Sequence, residues 1–401
     1  MKKILISGGW GYRNLGDDAI LIATIKLLTH QYPNIQIIVA SYEPKETLKI
    51  VSQFPNVSVV PSIQLKLFGN SLYYDYCPPE KWSLTFKLKY HLRSWFIRLR
   101  NKIHYISLEI FPQLYYKMMK LCYPSLTKLF NNIDMLFMSG GGYINESIEV
   151  NITHFLEIEF AYHYKIPTYI IGQTIGPFKR KRTKKLIKRY LSKVEKILVR
   201  DRESQKELQD LNIKVSQHII PDLALSDFVY LPNKNQSRTL TIIPFFGINN
   251  YFEDIVQLVK DINSIYHYEI IITVSQQWTQ PIVFGKALNK ILTEQNILSK
   301  FIYPHDVFEL QEILTNSKIV LSQNLHGLIM SYRAGTKIVS LNNKRKFISF
   351  IDQINLNGKC FSLDDIKSKD LKEYIIQNIE NQIIYKRNQD LATEILTELQ
   401  S

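Results

Sequence analysis

Short apolar runs alternate with longer amphipathic stretches along most of the chain. In the first half, runs typical of buried strands lie at residues 3–7, 35–40, 57–60, 133–138, 168–171 and 196–199. In the second half, comparable runs lie at residues 240–244, 269–274, 301–303, 318–321 and 337–341. Apolar residues at helical spacing fill most of the intervals between them. The alternation predicts parallel sheets covered by helices, which is an α/β fold.

A polar stretch without periodicity, at residues 232–237, separates the two series of strands. We therefore predict two Rossmann-like domains, one formed by residues 1–230 and one by residues 231–401. Residues 370–400 have a helical pattern, so the second domain is predicted to end in C-terminal helices.

Residues 65–129 interrupt the alternation and are predicted to be a helical insertion in the first domain. Between Lys81 and Lys102 the chain has several lysines and arginines and no Asp or Glu, interleaved with Trp, Phe, Leu and Ile. One interpretation is a helix that lies on an anionic membrane surface. The other is a helical pair that covers the sheet and has a solvated basic face.

Composition narrows the classes of partner. The chain has 401 residues and a formal net charge of +14, which suits nucleic acid, an anionic membrane surface or anionic small substrates. No motif that reads nucleic-acid sequence occurs in the basic runs, so nucleic acid is not an expected partner.

The three cysteines lack a CxxC pair and the nine histidines lack metal-ligand spacing, so no metal is predicted. Without a secretory pattern or a long apolar run, we expect a cytoplasmic protein.

Glycine-rich loops follow two of the predicted strands at their carboxyl ends. The first contains Gly16 and Asp17, and the second contains Gly141 and Gly142. Glycine lets a backbone approach a ligand closely, and successive glycine amides can form a nest for an anion. Neither loop matches GxGxxG or a P-loop. We predict that these four residues bind substrate, although loops of this kind also occur as purely structural turns.

Two further residues stand at strand ends. Arg200 follows the run at residues 196–199, where a guanidinium group could bind a carboxylate or phosphate, or form a salt bridge with a nearby acid. His326 follows the run at residues 318–321 and opens a helical pattern. Ligands of open α/β sheets bind at this edge, so His326 is a candidate for chemistry, with a purely structural role at the helix start as the alternative.

Several loops occur in a fixed order along the chain, at residues 11–20, 140–142, 173–177, 199–204 and 325–327. As an ordered set they resemble the polysaccharide pyruvyl transferase family over residues 2–354, and the insertion is the least similar part. The resemblance implies a fold similar to that of GT-B glycosyltransferases, with two Rossmann-like domains facing a cleft.

The resemblance also implies a reaction, in which pyruvate passes from phosphoenolpyruvate to two hydroxyls of a sugar with release of phosphate. By motif match His326 is the acid that protonates the enol carbon, and no cofactor is required. Arg200 and Lys346 match the family's donor-binding cations, with Lys344 as the alternative to Lys346. The family usually has arginine at the position of Asn324. Asparagine keeps a hydrogen-bond donor but loses the charge.

The favoured function is thus pyruvyl transfer to a surface polysaccharide or a lipid-linked glycan precursor, in the cytoplasm and peripherally at the inner face of the membrane. Two alternatives stay open. One is a GT-B-type glycosyltransferase that uses a nucleotide sugar, and the other is a non-catalytic, membrane-associated scaffold of glycan assembly.

Overall fold

Two parallel β-sheets organise the chain. The computed structural model describes residues 1–68, 84–146, 148–226, 238–354, 359–380 and 388–400. The strands of the first sheet are β1 (Lys3–Ser7), β2 (Gln36–Ser41), β3 (Val57–Pro61), β4 (Met135–Ser139), β5 (Thr168–Gln173), β6 (Lys196–Val199) and β7 (Ser216–Ile219). Their order across the sheet is β3-β2-β1-β4-β5-β6-β7. The order reverses between β1 and β4, which makes the loops after these strands the expected ligand-binding position.

The second sheet has the same kind of topology. Its strands are β8 (Thr239–Ile243), β9 (Glu269–Thr273), β10 (Ser299–Ile302), β11 (Ile319–Ser322) and β12 (Lys337–Ser340). Their order is β10-β9-β8-β11-β12, so the switch point lies between β8 and β11. In register, Ser322 pairs with Ile243 on β8 and with Ser340 on β12. The carboxyl ends of these three strands are therefore level with one another.

Helices connect the strands in both sheets. In the first half they are α1 (Leu15–Gln31), α2 (Pro44–Val51), α3 (Ile63–Phe68), α4 (Leu84–Ile110), α5 (Pro112–Cys122), α6 (Pro124–Phe130), α7 (Ile148–His163), α8 (Lys181–Leu191) and α9 (Arg202–Asp210). In the second half they are α10 (Phe252–Tyr266), α11 (Thr279–Glu294), α12 (Val307–Thr315), α13 (Leu325–Arg333), α14 (Arg345–Gln353), α15 (Lys369–Glu380) and α16 (Asn388–Gln400). Short 3-10 turns lie at Leu223–Leu225, Ile248–Tyr251 and Leu363–Lys367.

The predicted α/β class and the C-terminal helices are confirmed. Strands such as β4 and β6 are buried along nearly their whole length, as expected where helices cover both faces of a parallel sheet. The apolar runs of the sequence identify these strands for that reason.

Helices α4 to α6 form the predicted helical insertion. Their inner side belongs to the first core, where Tyr105, Leu108, Tyr115 and Met119 are buried together with residues of α7. The insertion therefore covers the sheet. Its early part, including Lys81, lies outside the described residues. None of the described helices is long and apolar enough to span a membrane.

Contacts divide the chain into two compact units. The first contains residues 1–12 and 28–220, and the second contains residues 13–27 and 221–400. The first turns of α1 thus belong to the second unit. The linker predicted at residues 232–237 lies outside the described residues.

Candidate active site

His326 lies at the switch point of the second sheet, in the first turn of α13 directly after β11. The loop before it is held by Ser322, whose hydroxyl accepts from the Asn324 N–H at 3.0 Å and donates to the Asn324 carbonyl at 2.8 Å. His326 is half-buried, whereas its neighbours in the loop and helix are buried. The fold therefore fixes the backbone of the histidine and leaves part of its side chain accessible.

Asn324 is the N-cap of α13. Its side-chain oxygen accepts hydrogen bonds from the backbone N–H groups of His326, at 3.0 Å, and Gly327, at 3.3 Å. Asparagine is among the best residues for this role, and arginine has no acceptor with which to perform it. The departure from the family's usual arginine thus has a structural consequence, because Asn324 stabilises the turn that carries His326.

Asn14 is a site residue that the sequence did not single out. Its Oδ1 lies 3.3 Å from Nδ1 of His326, and its Nδ2 donates to Asp17 Oδ2 at 2.8 Å. Because the amide nitrogen faces Asp17, the oxygen faces the imidazole and can accept only from a protonated Nδ1. Asp17, which is predicted to bind substrate, orients Asn14 through this hydrogen bond. All three residues belong to the second unit.

Gly16 lies directly against the imidazole ring. A Cβ built at this position would come within 2.0 Å of both Cγ and Nδ1 of His326. Its backbone N–H donates to Asn14 Oδ1 at 3.2 Å. Glycine is required here because the imidazole of His326 approaches the backbone closely. Substrate binding by Gly16 stays a prediction.

The loop after β1 is joined to the loop after β9. Leu15 N–H donates to the Ser275 carbonyl at 3.0 Å, and Gln277 N–H donates to the Arg13 carbonyl at 2.9 Å. These bonds hold Asn14 in a short antiparallel bridge with Gln276. The contact between Asn14 and His326 therefore rests on backbone structure.

Lys346 is exposed in the first turn of α14, which follows β12. The loop before it is tied to the histidine loop, because Leu341 N–H donates to the Ser322 carbonyl at 2.9 Å and Asn342 Nδ2 donates to the Gln323 carbonyl at 3.4 Å. Lys346 and His326 thus follow adjacent strands at one edge of the sheet. Lys344, the alternative, is the exposed N-cap of the same helix.

Arg200, Gly141 and Gly142 lie in the first unit and are linked through Thr174. Arg200 Nε donates to the Thr174 hydroxyl at 2.7 Å, and this hydroxyl donates to Asp201 Oδ2 at 2.9 Å. Thr174 N–H also donates to the Gly141 carbonyl at 2.9 Å. The predicted arginine and the glycine turn are therefore neighbours, at the carboxyl edge of the first sheet.

The glycine turn has one position with open space. Gly141 has a φ of +77° and packs against Tyr143, so the fold itself requires glycine there. At Gly142, which is exposed, the nearest atom to an added Cβ is Thr174 Cβ at 3.9 Å. Packing does not require glycine at this position, and a ligand would have room to approach it.

A buried polar network beneath this edge also escaped the sequence analysis. Ser7 Oγ donates to the Glu157 carboxylate at 2.7 Å, and His154 Nδ1 lies 3.2 Å from the same group. All three side chains are almost completely buried. The signal in the sequence was the pair Glu157 and Glu159 among apolar residues of α7. The network fixes the end of β1, where the first glycine-rich loop begins.

Solved structures with the same fold include UDP-GlcNAc 2-epimerases. The Methanocaldococcus jannaschii enzyme gives a TM-score of 0.58 at 13% identity, with coverage of 100% of this chain and 99% of that chain. A putative UDP-N-acetylglucosamine 2-epimerase from Listeria monocytogenes gives 0.57 at 12% identity, with coverage of 100% and 96%. Anabaena Alr3699/HepE, solved with UDP-glucose, gives 0.57 at 10% identity, with coverage of 100% and 98%. The class is therefore an α/β protein built of two Rossmann-like units, of the GT-B-like type.

The chain belongs to the polysaccharide pyruvyl transferase family, whose sequence profile matches residues 14–345. It is accordingly a member of a transferase family, as the order of the loops predicted. No curated protein sequence matches it significantly.

Proposed function

We propose that the protein transfers pyruvate from phosphoenolpyruvate to two hydroxyls of a sugar in a surface polysaccharide or lipid-linked glycan precursor. The product is a cyclic ketal, and phosphate is released. Membership of the family supports the reaction type.

The contact between Asn14 and His326 is the observation that carries this proposal. The reaction needs an acid beside the methylene carbon of phosphoenolpyruvate, and histidine titrates in the right range. An acceptor oxygen 3.3 Å from Nδ1 favours a proton on that nitrogen, which leaves Nε2 as the nitrogen that exchanges a proton with substrate. Nε2 then carries the second proton of the imidazolium, which is the one available for transfer.

The proposed chemistry uses that proton in the first step. Nε2 of His326 gives it to the methylene carbon, and the oxocarbenium-like centre that results is attacked by one sugar hydroxyl. A second hydroxyl of the same sugar then displaces phosphate. The two hydroxyls lose two protons in total, of which one restores the histidine and the other leaves with phosphate.

Phosphoenolpyruvate carries a carboxylate and a phosphate, so cations are needed to bind it. Lys346 follows the strand next to that of His326, which supports a role in donor binding. Arg200 is proposed for the same task by its match to the family's arginine, and its hydrogen bond to Thr174 would orient the guanidinium.

Ligand titration tests the identity of the donor directly. We expect phosphoenolpyruvate to raise the melting temperature in a saturable way, because a ligand that binds only the folded state stabilises it. Lys346→Ala should weaken this effect, and Lys359→Ala, which removes an exposed lysine outside the proposed site, should not. Stabilisation by UDP-glucose with none by phosphoenolpyruvate would instead favour the glycosyltransferase alternative.

The outer face of α4 and α5 supports an acceptor held at a membrane. This outer face contains Trp95, Phe96, Leu99, Ile103, Leu114 and Leu121, each more than two fifths exposed. Exposed apolar surfaces of this extent mark interaction sites. Lys117 and Lys120 are exposed on α5, and the only acid between residues 84 and 130 is Glu109, which pairs with Arg182. The proposed location is the cytoplasmic side of the membrane.

Sedimentation with lipid vesicles tests this part of the proposal. We expect binding to vesicles that contain phosphatidylglycerol, weaker binding to neutral vesicles, and loss of binding in Leu114→Glu/Leu121→Glu. Leu48→Glu, at an exposed leucine of α2, is the matched control and should bind normally. Equal binding by the two variants would show that the outer face of α4 and α5 does not bind the membrane. A scaffold would bind vesicles in the same way but would show no turnover.

A further inference from the structure

Three aromatic side chains form a cluster at the carboxyl edge of the second sheet. The ring centroids of Phe245 and Phe246 are 4.5 Å apart, and Trp278 lies 6.2 Å from each of them. Phe246 is 45% exposed, and the other two are half-buried. We call these three residues the aromatic shelf. Nothing in the reaction proposed above uses them.

The shelf stands on the other side of the switch point from His326. Phe245 follows β8, and its N–H donates at 2.8 Å to the side-chain oxygen of Gln323, three residues before the histidine. Trp278 follows β9, two residues after Gln276, which bridges to Asn14. Neighbouring strands are about 5 Å apart, so Phe245 and Trp278 lie roughly one and two strand spacings from the histidine loop.

Backbone contacts fix this arrangement. Gln323 is buried, and its own N–H donates to the Ile243 carbonyl at 3.1 Å. On the other side, the side-chain Nε2 of Gln277 donates to the backbone carbonyls of Pro304 and His305 at 2.7 and 3.1 Å. The shelf is therefore held rigidly beside the proposed acid, as a binding surface must be.

The chemistry of the shelf suits one face of a sugar ring. Aromatic faces carry negative charge density and attract polarised C–H groups, which a pyranose presents on its less polar face. The rings are tilted by 44° and 49° to Trp278 and by 79° to each other, which makes a corner and not a flat slot. A puckered ring fits a corner better than a planar nucleobase does.

We propose that the aromatic shelf binds the acceptor sugar and presents its hydroxyls to the reacting carbon beside His326. This inference rests on the proposed pyruvyl transfer. It assigns acceptor recognition to Phe246 and Trp278, whereas the cations bind the donor.

Saturation-transfer difference NMR tests binding without requiring turnover. Methyl hexopyranosides are the probes, and we expect saturation of the C–H protons on one ring face in the wild type. Phe246→Ala and Trp278→Ala should lose this signal. Leu298→Ala, at an exposed leucine before β10 on the opposite edge, should retain it. Phe246 is exposed, so its variant keeps the test valid if Trp278→Ala fails to fold.

Two outcomes would overturn the shelf as a sugar site. One is an unchanged sugar signal in both variants. The other is saturation of uridine base protons that depends on Trp278, with none for the sugars, which would identify a nucleobase site.

Steady-state kinetics test sugar binding by the aromatic shelf independently of the proposed reaction. We expect Phe246→Ala to raise KM for the acceptor about two- to tenfold and to leave KM for phosphoenolpyruvate unchanged, because the variant loses one ring contact with the sugar. Unchanged acceptor KM in an active enzyme would contradict the shelf alone. Sugar binding that depends on Phe246, in a protein that transfers no pyruvate to any acceptor tested, would contradict the proposed function alone.

Discussion

Asn14 is the residue whose contacts bear most directly on the chemistry proposed for His326. It joins Asp17 to the imidazole, and its replacement by alanine removes both of these contacts and the hydrogen bond from the Gly16 N–H. We expect Asn14→Ala to lower kcat about 100-fold, because a misplaced catalytic group loses reactive geometry. KM for phosphoenolpyruvate should change much less. Asn249→Ala, at an exposed asparagine of the same unit, is the control. An unchanged kcat in Asn14→Ala would show that Asn14 has no role in catalysis.

Two substitutions at Asn324 test helix capping and donor binding separately. Asn324→Arg restores the family's usual residue but loses the cap, so we expect the free energy of unfolding to fall by about 1 kcal/mol. The added charge should tighten binding of phosphoenolpyruvate. Asn324→Asp keeps a capping oxygen and adds a negative charge, so stability should be retained and binding weakened. Denaturant titration and ligand titration measure the two effects. Equal stability of both variants would contradict the capping role.

At the level of secondary-structure elements, the buried carboxyl group of Asp18, near the start of α1, destabilises the fold when it is ionised. Burial raises the pKa of Asp18 well above its ordinary value of 3.8, and the charge of Asp17 raises it further. The unfolded chain loses this proton at lower pH than the folded chain, so stability falls as pH rises above about 3.8 and stays lower above the folded pKa.

Asp18→Asn removes this titration. We expect the variant to unfold at higher denaturant concentration than the wild type at pH 7, and the difference to disappear below about pH 3.8. Denaturation at a series of pH values measures it. A variant that is less stable at pH 7 would show that the ionised carboxylate stabilises the fold.

The two glycine-rich loops should respond differently to an added methyl group. In Gly16→Ala the new Cβ meets the His326 ring at 2.0 Å, so we expect the ring to be displaced and kcat to fall about 100-fold. In Gly142→Ala the nearest atom is 3.9 Å away, so folding should be unaffected and only substrate binding should weaken, as a raised KM. Melting temperatures and steady-state kinetics distinguish these results. Normal kinetics in Gly142→Ala would show that substrate does not approach this glycine.

At the scale of the whole molecule, the sequence predicted the elements that repeat a local pattern. Buried parallel strands are apolar along their length, and helices have their own spacing, so the α/β class and the helical insertion could be recognised. The order of the loops led to the family. Local pattern also placed His326 correctly at a strand end, since the residues that mark it are adjacent in sequence.

Contacts between distant segments could not be predicted in the same way. Asn14 and His326 are 312 positions apart, and only the folded second unit, which includes residues 13–27, brings them together. The aromatic shelf likewise combines the ends of β8 and β9. Phe245 and Trp278 look like ordinary apolar residues in the sequence, and their exposure depends on the sheet order.

Acceptor-dependent release of phosphate from phosphoenolpyruvate shows whether the protein transfers pyruvate and whether His326 is the acid. With a panel of glycan precursors, the wild type should release phosphate and form a pyruvyl ketal visible by mass spectrometry and NMR. His326→Ala should release none while keeping its melting temperature. His267→Asn, at an exposed histidine at the end of α10 with a φ of 53°, should be fully active. Phosphate release and ketal formation by His326→Ala at the wild-type rate would show that His326 is not the acid.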